Sequence, residues 1–518
     1  MAFSSFLYAA QAWHPLQDDT KTYVSYLVTA VLFFLLVYSG RESYPDLPRF
    51  TPPNATRFTW LTQKVDFILN SKERLAQGSK MFPDRPWKIF TDMGDILVIP
   101  LKYVEELKLS TAMDFKAAAS DDLHSYVPGY EPFTAEDDFL KAIINHVAKA
   151  SGSLTMPISN EASVAIHDQL KDPKEFSTIS LQDVSIIVSR MASRVFMGEE
   201  LCRDMAWIEA SSAYVLTAFK TIYFLSFFPR SLRSVIHWFL PPIYLVRRKL
   251  KQCQTILQPH IDKRVAIKAK AAARGEPHPY NDSIEWFSRE CSPSHNPAAY
   301  QITLSMLAIH TTSDLLFQTM IDIGKNPDIV APLREELVSV LSTDGLKKSA
   351  FQKLKLMDAC FKESQRIRPV VTTFFRRLAL EDIRLSDGFV IKKGTKVVLD
   401  GNRLLDEEIY PDPLKWDPYR YMRMRGIPGE DSKAHLVSVT PAHFGFGYGV
   451  HACPGRFFAA NTLKIAMAHL LLKYEWTIPD SQRELQGQGI GSNYRSHPDA
   501  RILIRKREPE LDIDLLGF

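Results

Sequence analysis

Cys453 ends a glycine-rich run, Phe444-Gly-Phe-Gly-Tyr-Gly-Val-His-Ala-Cys453-Pro-Gly-Arg-Phe-Phe458, and a helical pattern starts immediately after it. Gly445, Gly447 and Gly449 lack a Cβ, so this stretch can bend tightly and lie against a large planar ligand. Pro454 suits a first helical turn, because the N–H it lacks has no intrahelical partner there. The spacing therefore predicts Cys453 at a helix N-terminus, where free N–H groups and the helix dipole favour thiolate over thiol. A thiolate presented from such a cradle is an axial ligand for a metal in a flat cofactor.

Two further constellations accompany it. Glu363-Ser-Gln-Arg366 places an acid and a base on one helix face, and Arg368-Pro369 and Pro418-Tyr-Arg420 lie between it and the cysteine loop. Alone, such a pair is common on solvated helices and is worth about 0.2–0.5 kcal/mol. Leu307-Ala-Ile-His-Thr311-Thr312 falls inside a helical pattern that Asn296-Pro297 can start and Gly324-Lys-Asn-Pro327 can end. The pattern predicts a long helix of roughly 40 Å at about 1.5 Å per residue.

Taken together, these segments resemble the cytochrome P-450 family, over nearly everything after residue 40 and most specifically around Cys453. The resemblance implies haem b with Cys453 as its axial thiolate, and Phe446, Gly449, Gly455 and Ala308 against the porphyrin. Glu363, Arg366 and Arg420 fall on the family's buried ion network, which holds the cysteine loop. A planar guanidinium suits that role because it binds carboxylate bidentately and stays charged. Thr311 falls on the threonine that assists oxygen protonation. His310 replaces the family's acid. It is either a proton carrier near neutral pH or a packed core histidine. Arg377 and His451 are expected at the haem propionates, His451 in place of an arginine. The partner expected around Ile143 to Lys149 is not identifiable. Val370, Val371, Thr372, Thr373 and Phe374, with Ala308, are expected to line the substrate pocket. The Ser125 to Phe133 loop is a weaker candidate.

The elements that must position these residues are mostly helices. Helical patterns run from about Ala135 to Leu380, interrupted by a polar stretch around Arg274 to His295. Trp87 to Leu107 reads as short strands followed by a helix start, and Leu385 to Leu399 and Ala500 to Arg505 read as strands. Mainly α with minor β is the expected class, with small sheets and a long central helix over the haem. Tyr214 to Val246 is strongly apolar, but Lys220, Arg230, Arg233 and Pro241-Pro242 interrupt it, which argues against a membrane crossing. It reads equally as a buried helix pair or, by the resemblance, as a region dipping into a bilayer beside the substrate entrance.

Residues 22–40 carry no charge and are long enough to cross a hydrocarbon core of about 30 Å. Lys21 precedes them, with Asp18 and Asp19; Arg41, Arg49 and Arg57 follow, which places the C-terminal bulk on the cytosolic side. A cleaved signal peptide would need a basic start and a small-residue cleavage site. The expected organisation is a lumenal 1–21, an anchor at 22–40, a proline-rich hinge at 41–55 and a catalytic domain at 56–518. This describes a single-pass protein of the endoplasmic reticulum membrane.

With 518 residues, a net charge of +4 and a pI near 8.6, the chain is too mildly basic for a dedicated nucleic-acid binder. Its five cysteines form no CxxC pair, which suits a reducing compartment. The expected function is a haem-thiolate monooxygenase oxidising C–H bonds of a bulky apolar substrate, a fungal terpenoid or indole diterpenoid. NADPH-cytochrome P-450 reductase is the expected partner, since the chain has no flavin or nicotinamide fingerprint of its own. The alternatives are a haem-thiolate isomerase or dehydratase needing no reductase, or oxidation of a prenylated indole alkaloid.

Overall fold

The computed structural model describes residues 44–52, 59–134, 136–148, 154–292, 295–399 and 404–516. The anchor expected at 22–40 lies outside them, and among the described residues no helix is long and apolar enough to cross a membrane. The hinge expected at 41–55 is described only over 44–52, and those residues are docked. Tyr44 and Phe50 are buried, and β1 (Arg49–Phe50) pairs in parallel with β2 (Trp87–Thr91). Packing against the main body is thus in place at Tyr44, because its ring and that of Phe50 find apolar partners there.

The body is mainly helical. Helix α1 (Thr59–Met81) leads into β2 and β3 (Gly94–Ile99), and α2 (Phe115–Asp122) follows the short strand β4 (Met113–Asp114). The helical run comprises α3 (Thr155–Leu170), α4 (Leu181–Phe196) after strand β5 (Ser177–Ile179), α5 (Met205–Ser226), α6 (Arg230–Ile236) and α7 (Pro241–Ala273). The polar stretch expected to break the pattern around 274–295 holds a helix of its own, α8 (Ser283–Glu290). Asp282 caps it by accepting from Glu285 N.

The predicted long central helix is divided at Ile309 into α9 (Pro297–Ala308) and α10 (His310–Lys325). Asn296 caps α9 with its side chain on Ala298 N and Ala299 N, and Pro297 occupies the first turn, as the sequence predicts. At the break, Ile309 departs from ideal helical angles (φ −92, ψ −56), and the Thr311 hydroxyl donates to Leu307 O at 3.2 Å. Such a hydroxyl competes with the helix ladder for a carbonyl and bends the helix.

Beyond α11 (Val330–Asp344) and α12 (Lys355–Ile367), the chain enters β6 (Phe374–Ala379), β7 (Ile383–Arg384), β8 (Val390–Ile391) and β9 (Lys396–Leu399). Helix α13 (Tyr419–Arg425) precedes the cysteine loop and α14 (Arg456–Lys473) follows it. Strands β10 (Tyr474–Thr477), β11 (Gln488–Ile490), β12 (Asn493–Arg495) and β13 (Ile502–Lys506) complete the chain. The main sheet has the order β1-β2-β3-β9-β6-β4. Its β6 is bulged between Phe374 and Arg377, with Phe375 at φ +53, a conformation that re-aims the arginines beyond it.

The apolar segment around 214–246 is not a buried helix pair throughout. Helix α6 buries no residue, and Val235, Trp238, Phe239 and Tyr244 are exposed, Phe239 at 77%.

Candidate haem-thiolate site

Helix α14 begins at Arg456 with Gly455 as its N-cap, so Pro454 sits in the preceding turn and not in the helix. The cysteine is therefore two residues ahead of the cap. It keeps the helix-end environment even so: the backbone N–H groups of Gly455 and Arg456 face its sulfur, and a Cβ on Gly455 would lie 3.9 Å from Sγ. Burial nevertheless pushes the thiol up, against those N–H groups and the Arg456 charge. Helix-end donors alone do not make this group a thiolate; a cation must supply the rest.

The loop is gripped on both sides. Cys453 N donates to Phe446 O at 2.8 Å and Val450 N to Lys108 O at 3.1 Å. A Cβ on Gly445 would lie 2.0 Å from Gln365 Oε1 of α12, and one on Gly449 would lie 2.2 Å from Lys108 O. Gly449 is therefore required for close approach to a backbone carbonyl, whereas a side chain at Gly445 would need the Gln365 side chain to move.

Helix α12, on which the loop rests, carries the ion network. Arg366 binds Glu363 through two parallel bonds, Nε to Oε2 and Nη2 to Oε1, each 2.8 Å. Arg420 Nε adds a bond to Glu363 Oε1 at 2.9 Å, and Asp417 N reaches the same oxygen at 3.2 Å. Arg366 spends its remaining donors on Leu404 O and Pro413 O, at 2.6 and 2.7 Å. Glu363 and Arg366 are fully buried, and each has its charge and hydrogen bonds met.

Arg377 is buried with its guanidinium over Phe375 at 4.5 Å and Phe115 at 5.5 Å. Its hydrogen bonds go only to backbone, Arg376 O at 2.7 Å and Tyr448 O at 3.5 Å, and among the described residues it has no carboxylate ion pair. Burial pushes it down to about 10, with Asp114 the acid acting against that. His451 stands beside it, its ring 6.3 Å from Phe115 and bonded to the Met113 backbone. Burial and the Arg377 charge lower its pKa, so it is a neutral neighbour near neutral pH and not a second cation.

At the helix break, Thr311 and Leu307 are exposed, Ala308 and His310 part-buried. Burial, reinforced by Arg495, pushes the His310 imidazole down to about 4. A neutral imidazole keeps one donor and one acceptor nitrogen, so it is compatible with either a proton-relaying or a packing role. A depressed histidine stabilises the fold fully above its unfolded pKa of about 6.5 and progressively less as pH falls towards 4. We expect His310→Gln to make the loss of urea stability between pH 6.5 and 4 shallower than in the wild type. Parallel curves would show that the imidazole is not desolvated.

Of the five residues expected to line a substrate pocket, Val371 is exposed and Val370 part-buried. Thr372, Thr373 and Phe374 are buried. Phe374 packs on Phe444 at 5.6 Å, and with Thr372 it lines a separate cavity of about 80 Å³ beside Lys72, Arg366 and Tyr494. From the Ser125 to Phe133 loop, Phe133 meets Phe219 of α5 edge-on at 5.7 Å.

The arrangement is that of a known fold and site, and residues 95–493 match the family model described as Cytochrome P-450. The chain belongs to the cytochrome P-450 family. It is 43% identical over 494 residues to the cytochrome P-450 monooxygenase eqxH of Fusarium heterosporum, covering 94% of this chain and 96% of that protein. It is 37% identical to cytochrome P-450 monooxygenase 1 of Gibberella fujikuroi, over 84% of this chain and all of that protein. The cytochrome P-450 monooxygenase hepE of Aspergillus oryzae is 35% identical, over 93% of this chain and 90% of that protein. The protein is accordingly a cytochrome P-450 monooxygenase, an oxidoreductase whose cofactor is haem b held by a cysteine thiolate.

The residues present fit that cofactor of the cytochrome P-450 family. A part-buried cysteine whose sulfur two N–H groups face suits a cation, and a buried arginine without a carboxylate ion pair among the described residues suits a propionate. Gln365 and Lys108, which hold the loop, have no signature of their own in the sequence. The β11–β12 hairpin does: Ile490-Gly-Ser-Asn493 is a two-residue turn between strand-like segments.

Proposed function

We propose that this protein is a membrane-anchored haem-thiolate monooxygenase of fungal secondary metabolism, acting on a bulky, largely apolar substrate such as a terpenoid or indole diterpenoid. The observation that carries the haem site is the part-buried Cys453, its sulfur faced by the Gly455 and Arg456 N–H groups, on a loop whose Tyr448 O accepts from Arg377, an arginine with no carboxylate ion pair among the described residues. When bound, the haem supplies the activation of O2, one oxygen atom entering a C–H bond and the other leaving as water at the expense of NADPH. Cys453 supplies the sulfur, and the N–H groups of Gly455 and Arg456 stabilise its charge. Arg377 binds a propionate, while His451 steadies the neighbouring backbone through Met113. Glu363, Arg366 and Arg420 keep α12 and the loop in register.

Thr311 holds a proton-bearing hydroxyl at the α9–α10 break, and His310 adds a neutral ring next to it. Val371, Val370 and Ala308 present apolar surface to the substrate. Electrons come from NADPH-cytochrome P-450 reductase. Anchoring through 22–40 in the endoplasmic reticulum membrane, with 56–518 on the cytosolic side, is supported by the uncharged stretch and by the exposed Trp238 and Phe239. An apolar substrate can then enter from the bilayer.

The test is co-expression with the reductase and a panel of terpene scaffolds, read by mass spectrometry for oxygenated product that requires NADPH and O2. Product formed without either would replace oxygenation with isomerisation or dehydration. Thr311→Ala is expected to keep haem while diverting reducing equivalents from product to peroxide. Coupling equal to the wild type would remove Thr311 from the proton path.

A further inference from the structure

The β11–β12 hairpin is held at three places by its backbone. Thr372 N donates to Ser492 O at 2.9 Å and Tyr494 N to Val370 O at 2.8 Å, and Gly491 N reaches Ile68 O of α1 at 2.8 Å. Just beyond the hairpin, Ser496 N and Oγ both donate to Asp314 Oδ1 at 2.8 Å. Asp314 lies three residues after Thr311 on α10, so the two are neighbours on that helix and the hairpin exits close to the break. Both hydrogen bonds from α5 to the hairpin pass through one phenol. Tyr223 Oη donates to Ile490 O at 3.0 Å and accepts from Asn493 Nδ2 at 3.2 Å, straddling the tight turn at Gly491. Asn493 in turn forms the isolated bridge with Val371.

We propose that Tyr223 is a positioning residue that latches the C-terminal end of α5 to the β11–β12 hairpin, fixing the spacing between α5 and Val371 and thereby which C–H bond the substrate presents. This rests on the monooxygenase reading above. Phe219 lies one turn earlier on the same side of α5 and packs on Phe133, so any drift of the α5 end also moves an aromatic wall. The α5 end is also tied by Lys64 Nζ to Ser226 O at 2.6 Å and by Arg233 Nη2 to Ser226 O at 3.1 Å, but neither bond runs to the hairpin, which α5 reaches through Tyr223. Burial pushes the Tyr223 phenol up to about 12, so it remains protonated and able to donate. A phenol uses both its donor and its acceptor here, a role phenylalanine keeps in shape and loses in chemistry.

The test uses Tyr223→Phe in the haem-loaded full chain, with Asn493→Ala as a second variant that breaks the same latch from the other side. Amide exchange in peptides covering 488–496 is expected to speed up about 2–10-fold, the factor that one or two neutral hydrogen bonds represent. The affinity advantage of 4-phenylimidazole over imidazole, read from their Soret shifts, is expected to shrink by about the same factor. Thiolate-type carbon monoxide spectra are expected to be unchanged. Unaltered exchange in both variants overturns the latch. Faster exchange with an unaltered affinity ratio overturns its role in shaping the pocket. A wild type that gives no imidazole shift overturns the haem-site reading instead, and the exchange result still decides the latch.

Discussion

Cys453→Ser is expected to abolish the thiolate-type Soret band of the reduced carbon monoxide complex and to reduce oxygenated product to background. The hydroxyl that replaces the thiol occupies nearly the same space, so the fold has no reason to change. What changes is the ease of ionisation. Burial already opposes the charged form of the sulfur, and the N–H groups of Gly455 and Arg456 only partly offset that. An alkoxide in the same place would meet the same desolvation from a far higher starting pKa, so serine stays neutral and is a poor ligand. The measurements are the carbon monoxide difference spectrum and haem content per protein. A thiolate-type band of normal height in the variant would mean that one of the other four cysteines holds the cofactor. Those four are all buried, and burial pushes each of them up, to about 12 for Cys202, Cys253 and Cys291.

Glu363→Ala is expected to lower folding stability by about 3–5 kcal/mol, because it leaves Arg366 and Arg420 without their shared anion in the interior. Against a total of about 5–15 kcal/mol for a typical domain, that is a large fraction. Arg366 is the more costly of the two to strand, being fully buried, whereas Arg420 keeps some access to solvent. Because Gly445 rests against Gln365 on the same helix, the variant is also expected to lose haem before it unfolds globally. The checks are urea unfolding of the haem-loaded protein and Soret absorbance per protein along the same titration. A change below about 1 kcal/mol with full haem retention would show that the network does not hold the loop.

Local chemistry makes much of this site legible in the sequence. The cysteine loop, the Glu363–Arg366 pair with Arg420, and Asn296-Pro297 at the start of α9 are short-range patterns whose physics is written in adjacent residues. The long helix that the pattern predicts is divided at Ile309, whose backbone angles depart from the helical ideal, a local change that apolar periodicity does not register. Pro454 precedes α14 and does not open it, since proline and glycine are each compatible with a cap or a first turn. Of the expected pocket residues, Val371 is exposed whereas Thr372, Thr373 and Phe374 are buried, a difference set by contacts distant in the chain.

The sequence by itself determined the ligand chemistry: a lone cysteine among glycines, a threonine in a helix of small and apolar residues, and paired charges at helical spacing. These depend on residue type and on neighbours within a few positions. Only the tertiary structure decided that Arg377 is buried without a carboxylate ion pair among the described residues, that burial near Arg495 lowers the His310 pKa, and that one phenol on α5 spans a turn 270 residues away from it. Burial, and the pairing or isolation of a charge, are sums over groups distant in the chain, and no window of sequence contains them.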